Sequence, residues 1–147
     1  MTADHDQPPR HSVSVAAAIL DDAGRFLVIR RADNGHWEPP GGVLELDESI
    51  TDGLTREIHE ETGLHIRPLA LTGVYKNMNR GIVALVFRCE ITAGSARASH
   101  EARDFAWLTP DQLADHMSDA YRVRLLDALE ADAPPTVRAH DGTSLVG

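Results

Sequence analysis

The sequence predicts an α+β layered domain, and three observations predict it. β-branched and small apolar runs open the chain and recur in its middle. Two segments carry helical rather than strand periodicity. The length of 147 residues, with 42% hydrophobic and 25% charged side chains, suits one globular domain with its own core and is too short for two. Strands mixed with two or three helices must bury their apolar faces against one another in layers.

Taken in order, Ser12 to Leu20 reads as a strand, and Asp21-Asp22-Ala23-Gly24 as a turn. Arg25 to Arg31 reads as the second strand of a hairpin, with Phe26, Val28 and Arg30 on one face and Leu27, Ile29 and Arg31 on the other. Ala32 to Pro40, with Asn34-Gly35 and Pro39-Pro40, reads as a loop. From Glu48 to Thr62 the apolar residues Ile50, Leu54 and Ile58 recur at helical spacing, and Gly63 stands where a helix ends. Ile66 to Lys76 and Gly81 to Ile91 read as two long strands joined by Asn77 to Arg80. Arg103 to Leu108 is a short strand. Thr109-Pro110 begins a further helix as cap and first residue. Ser118 to Glu130 is an amphipathic helix bearing Val123, Leu125, Leu126 and Leu129. The expected organisation is a flexible N-terminal segment over 1–10, one domain over 11–131 and a C-terminal tail over 132–147.

Composition excludes several functions. The 23 acidic and 14 basic residues give a formal charge of -9, which opposes binding to nucleic-acid phosphates or to an anionic membrane surface. The single cysteine, Cys89, rules out an internal disulfide and reads as a core residue. The N-terminus lacks an apolar signal-peptide core, and no apolar run is long enough to span a bilayer. The expectation is a cytoplasmic enzyme.

The charge is concentrated. Between Glu38 and Glu61 there are eight acids and only Arg56 as a base. On a helical wheel Glu57, Glu60 and Glu61 share a sector about 100° wide that overlaps the edge of the Ile50, Leu54 and Ile58 stripe. Like charges at Glu57 and Glu61, four residues apart, destabilise a helix by roughly 0.2–0.5 kcal/mol, and burial adds desolvation. A bound divalent cation would relieve both, and hard oxygen donors select Mg²⁺, Mn²⁺ or Ca²⁺. A solvated acidic face is the other reading of the wheel. Upstream, Pro39-Pro40-Gly41-Gly42 allows close backbone approach to this helix, or forms an ordinary tight turn.

Together these features decide the matter. Gly42, Glu48, Arg56, Glu57, Ile58, Glu60, Glu61, Gly63 and Leu64 stand at the spacing Gly-x5-Glu-x7-Arg-Glu-apolar-x-Glu-Glu-x-Gly-apolar. This resembles the Nudix box with every defining position filled, a chance event on the order of 10⁻⁹ per start position at ordinary residue usage. The likeness to the Nudix (MutT-like) hydrolases extends over about Ser12 to Glu130. Two departures are Gly53, where the family usually has Ala, and Leu46-Asp47 ahead of Glu48. Gly53 in mid-helix is expected to weaken the helix by about 1 kcal/mol.

The resemblance implies the Nudix fold, an α/β/α sandwich with a mixed central β-sheet and a catalytic loop-helix. It implies hydrolysis of the pyrophosphate linkage of nucleoside diphosphate-X compounds with Mg²⁺ or Mn²⁺. By position in the motif, Glu60 and Glu61 with the Gly41 carbonyl are metal ligands. Glu57 is a ligand or the base that deprotonates water. Arg56 orients a carboxylate, and Glu48 supplies a further carboxylate or a structural cap. Glu101 is the expected extra glutamate from outside the box, and Arg31 a contact to substrate phosphate. Trp37 would stack on a base or pack beneath the glycines, and Tyr75, with Asn77, would line the cleft or share in the core. The partner is a nucleotide-type small molecule of (d)NTP, ADP-ribose or nucleotide-sugar type. Many relatives dimerise, but no residue here demonstrates a homodimer. The alternative is a catalytically weak nucleotide-sensing module on the same fold. The intact Arg56, Glu57, Glu60 and Glu61 argue against it.

Overall fold

The computed structural model describes residues 7–130 and 132–147. Most of the segment expected to be flexible, residues 1–6, lies outside the described residues, as does residue 131.

β1 (Ser12–Ile19) lies near the centre of the fold. It pairs antiparallel with β4 (Gly41–Val43) and parallel with β6 (Ile82–Ala93). β6 forms a long antiparallel pair with β5 (His65–Asn77), and β5 continues parallel to β8 (Thr136–His140), which carries the short β9 (Leu145–Val146). The resulting six-stranded mixed sheet runs β4-β1-β6-β5-β8-β9. A second, antiparallel sheet places β2 (Phe26–Arg31) between β3 (Trp37–Glu38) and β7 (Ala102–Leu108).

Alternation along β1 builds the layers. Val15, Ala17 and Ile19 pack with Leu54 and Ile58 of α1 (Ile50–Thr62) on one face. Ala16 and Ala18 pack on the other with Leu113 and with Leu125 of α2 (Asp119–Leu126). Helices therefore flank a mixed sheet on both sides, as the expected sandwich requires. Burial of Leu54 and Ile58, both 0% exposed, is worth roughly 1.5–3 kcal/mol each. Cys89 lies in the α1-side core, where burial pushes its thiol up to about 12.

Several expectations need correction. β1 and β2 are not a paired hairpin. Asp21 closes the turn by accepting from the Ala23 and Arg25 N–H groups, but only Leu20 and Phe26 bridge across it. The reason is that β4 and β6 already occupy both edges of β1, which leaves β2 to the second sheet. Ile50 does not join the buried stripe of α1 and is 42% exposed, being the first residue of the helix. The segment Pro110–Asp115 is a 3-10 helix, capped by the Gln112 side chain accepting from Thr109 N–H. Leu129 is exposed, and Ala120, Arg124, Leu125 and Ala128 are the buried residues of the last helical stretch. Residues 132–147 are not simply a tail, since β8 adds a strand to the main sheet. Polar residues and Pro134-Pro135 obscured a strand whose apolar content is low and whose partner, β5, is distant in sequence.

Gly53 is also more than a weak point. A Cβ there would lie 2.4 Å from Leu44 Cδ1 and 2.8 Å from Glu48 Oε1. Its lack of a side chain lets the loop before α1 lie against the helix.

Candidate active site

The site forms where α1 meets β4. Ser49 caps the helix by accepting from Asp52 N–H, and Gly63 ends it in the left-handed region at φ 81°. Between these ends the helix turns Glu57 and Glu61 toward the glycine strand. Gly41 N–H donates to Glu61 Oε1 at 2.8 Å. A Cβ at Gly41 would lie 2.1 Å from the Val15 carbonyl oxygen, and one at Gly42 would lie 2.2 Å from Glu57 Oε2. Gly41 requires glycine because its nearest neighbours are backbone, whereas a Cβ at Gly42 would push the Glu57 carboxylate out of this position.

Arg56 organises the carboxylates. Its Nε and Nη2 donate to the two oxygens of Glu48 at 2.9 and 2.6 Å. Its Nη1 donates to Glu57 at 3.0 Å and to Glu60 at 3.2 Å. The bidentate pair expected for Arg56 is made with Glu48, and Glu48 also accepts from Glu45 N–H at 2.9 Å. Glu48 thus pins the loop before the helix, and the Arg56 hydrogen bonds hold its carboxyl down to about 2.

Glu57 and Glu61 are in the opposite state. Glu61 is 5% exposed, and desolvation pushes its carboxyl up to about 8 despite the Gly41 hydrogen bond. Glu38, Glu101 and Glu57 add like charge. Desolvation also raises Glu57, against the pull of Arg56. Carboxylates so placed want a cation.

Glu57, Glu61 and Glu101 line one cavity of 570 Å³ with Arg31, Gly41 and Gly42. Glu60 is exposed and faces a neighbouring open cleft shared with His100 and Glu101. Arg31 donates to Asp33 and Glu38, so its guanidinium stands at the cavity mouth already paired. As the side chains stand, no three His, Cys, Asp or Glu among the described residues are grouped closely enough to hold a metal. Glu57 and Glu61 each have one oxygen engaged, Oε1 of Glu57 by Arg56 and Oε1 of Glu61 by Gly41 N–H. The donor set is nonetheless all oxygen, buried and like-charged, which fits a hard divalent cation once those side chains rotate.

A second cavity of 230 Å³ lies across β4, sharing Arg31 and Gly41–Val43 with the first. Glu38, Asn77, Arg80 and Arg124 line it. Two sequence candidates lie elsewhere. Tyr75 is fully buried, with its hydroxyl donating to Asp127 at 2.8 Å, so it supports the cleft from beneath rather than lining it. Trp37 packs against the α2-side core, edge-on to His116 at 5.7 Å, and lines neither of these two cavities. Glu38 and Arg124 were missed. For Arg124 a signal existed: it lies four residues from both Ala120 and Ala128, on a stripe of small buried residues.

This geometry and the sequence comparisons agree on the class of protein. The chain belongs to the NUDIX domain family, whose model matches residues 10–129, and it is a member of the Nudix hydrolases. It is 56% identical over 139 residues to a MutT-like protein of Streptomyces ambofaciens, covering 95% of this chain and 90% of that one. It is 30% identical over 101 residues to an ADP-ribose pyrophosphatase of Methanocaldococcus jannaschii, covering 64% of this chain and 60% of that one. The crystal structure of a MutT protein from Methanosarcina mazei superposes with a TM-score of 0.72 at 25% identity, covering 87% of this chain and 99% of that one. The described residues contain no helix long and apolar enough to cross a membrane.

Proposed function

We propose that this chain hydrolyses the pyrophosphate linkage of nucleoside diphosphate-X compounds, using Mg²⁺ or Mn²⁺. The observation that carries the reading is the convergence of Glu57, Glu61 and Glu101 on one cavity beside the Gly41–Gly42 strand. A polyanionic substrate would be repelled by that cavity alone. A divalent cation there supplies charge neutralisation and lowers the pKa of a bound water.

Glu57, Glu61 and Glu101 would hold the metal, with Glu60 swinging in from the adjoining cleft and the Gly41 carbonyl as a backbone donor. Arg56 keeps Glu57 and Glu60 oriented while Glu48 anchors Arg56. If Glu57 serves as the base instead of a ligand, burial, which raises its carboxyl, suits it to accept a proton from the attacking water. Arg31 would meet a phosphate oxygen at the rim. Substrates of (d)NTP, ADP-ribose and nucleotide-sugar type all fit this reading, and the M. jannaschii relative is named for the second of these.

The test is turnover of a panel of such compounds with Mg²⁺ or Mn²⁺, alongside Glu60→Gln and Glu61→Gln. The expected result is rapid product release by the natural chain and a loss of about 10²-fold or more in each variant. Turnover no faster than the double variant's across the panel would overturn the hydrolase reading.

A further inference from the structure

The second cavity contains a charge that the proposed chemistry does not use. Arg124 of α2 is 8% exposed. Its guanidinium carbon lies 4.6 Å from the centre of the Tyr121 ring and 5.4 Å from that of Tyr75. No carboxylate among the described residues reaches it within ion-pair distance, and its buried Nε has no hydrogen-bond partner. Arginine has five N–H donors and no acceptor, so an unmet buried guanidinium is costly.

Its one hydrogen-bond contact among the described residues, His140, cannot satisfy it. Arg124 Nη2 lies 3.2 Å from His140 Nε2, while His140 Nδ1 takes the Gly142 N–H at 3.0 Å. A neutral imidazole accepts at one nitrogen only, so either tautomer leaves one of these donors unanswered. The platform is tied down by hydrogen bonds. Tyr75 is held by Asp127, and Arg138 grips both oxygens of Asp127 at 2.9 Å. This cavity shares Arg31 and Gly41–Val43 with the carboxylate cavity, so it lies just across the edge strand β4 from a ligand bound at the carboxylates. Its lining includes three arginines against Glu38, which is already paired with Arg31.

We propose that Arg124 is a specificity-determining residue that reads a hydrogen-bond-acceptor edge on the part of the substrate beyond the scissile linkage. This rests on the hydrolase reading for the direction in which the substrate lies. The edge is a carbonyl-bearing nucleobase face or an anionic oxygen of X. A donor face, such as the exocyclic amine of adenine or cytosine, leaves Arg124 unpaired and is disfavoured.

The experiment uses the full chain with Mn²⁺ and substrate pairs matched in their phosphates. GTP against ATP and UTP against CTP test the base edge, and UDP-glucuronate against UDP-glucose tests an anionic X. The expected result is a preference of about tenfold or more in kcat/KM for the acceptor member of one pair. Arg124→Met should abolish that preference by lowering kcat/KM for the acceptor member, and Arg124→Lys should keep part of it. Where the pairs are turned over, a preference that survives in Arg124→Met, or no preference in any pair, overturns the proposal. A second reading needs no turnover. In EDTA, GMP and UMP, or UDP-glucuronate for the X arm, should raise Tm more than AMP, CMP or UDP-glucose, and Arg124→Met should erase the difference. If that holds while nothing is hydrolysed, the hydrolase reading fails and the Arg124 assignment stands; if the Tm shifts are alike in both proteins, the assignment fails.

Discussion

Gly42 approaches the Glu57 carboxylate so closely that an added Cβ would lie 2.2 Å from Oε2 and 2.7 Å from Oε1. A larger residue at Gly42 therefore fits only if the Glu57 carboxylate moves. Gly42→Ala should displace Glu57 by the better part of an ångström, enough to lower kcat about 10²-fold. Tm should change little, since the Glu57 side chain can swing outward. Steady-state kinetics with a metal titration, beside a thermal melt, checks both halves.

Glu61 predicts an inverted pH dependence for the metal-free protein. Its folded-state pKa, about 8, lies above the ordinary carboxylate value. Its contribution to stability is therefore complete below about pH 4.5 and is lost as pH rises through about 8. In EDTA, Glu61→Gln should flatten that decline and raise Tm at pH 8, each kcal/mol appearing as roughly 2–4 °C. Mn²⁺ should stabilise the natural chain more than the variant. Melts across pH with and without metal decide it.

The Arg56–Glu48 pair has the opposite sign. Glu48 is held down to about 2, so the stability it adds is present above its unfolded value near 4.5 and disappears as pH falls toward 2. Glu48→Gln should remove that acid-side loss. Arg56→Lys cannot span Glu48, Glu57 and Glu60 together and should lower activity more than it lowers Tm. Acid unfolding followed by circular dichroism, paired with kinetics, separates the two effects.

The buried face of α1 is narrower than its periodicity suggests. Leu54→Ala should cost about 2–5 kcal/mol, whereas Ile50→Ala should cost under about 1 kcal/mol because Ile50 is 42% exposed. Equal costs in urea denaturation would mean the helix packs through a different face.

Deletion of residues 134–147 should destabilise the whole domain. The deletion removes β8 from the edge of β5, the Arg138 grip on Asp127, and buried His140. A removable tail would leave Tm unchanged, whereas loss of a strand should lower it by several degrees or abolish cooperative unfolding.

The sequence by itself determined the local and the periodic. Helix α1 and its end at Gly63, the β5–β6 pair, and the spacing that joins Gly42 to Glu57, Glu60 and Glu61 all follow from residues close in the chain, while the start of α1 falls at Ile50 behind a Ser49 cap rather than at Glu48. Only the tertiary structure decided what long-range pairing controls. It assigned β1 and β2 to different sheets, because both edges of β1 were already taken. It drew β8 into the main sheet beside a strand some 60 residues earlier. It separated Glu61, which is buried and raised, from Glu60, which is exposed, although the two are adjacent in the chain. It buried Tyr75 and left Arg124 without a carboxylate among the described residues. The physical reason is common to all of these. Burial and electrostatic environment depend on what packs from distant segments, and neither local propensity nor motif spacing contains that information.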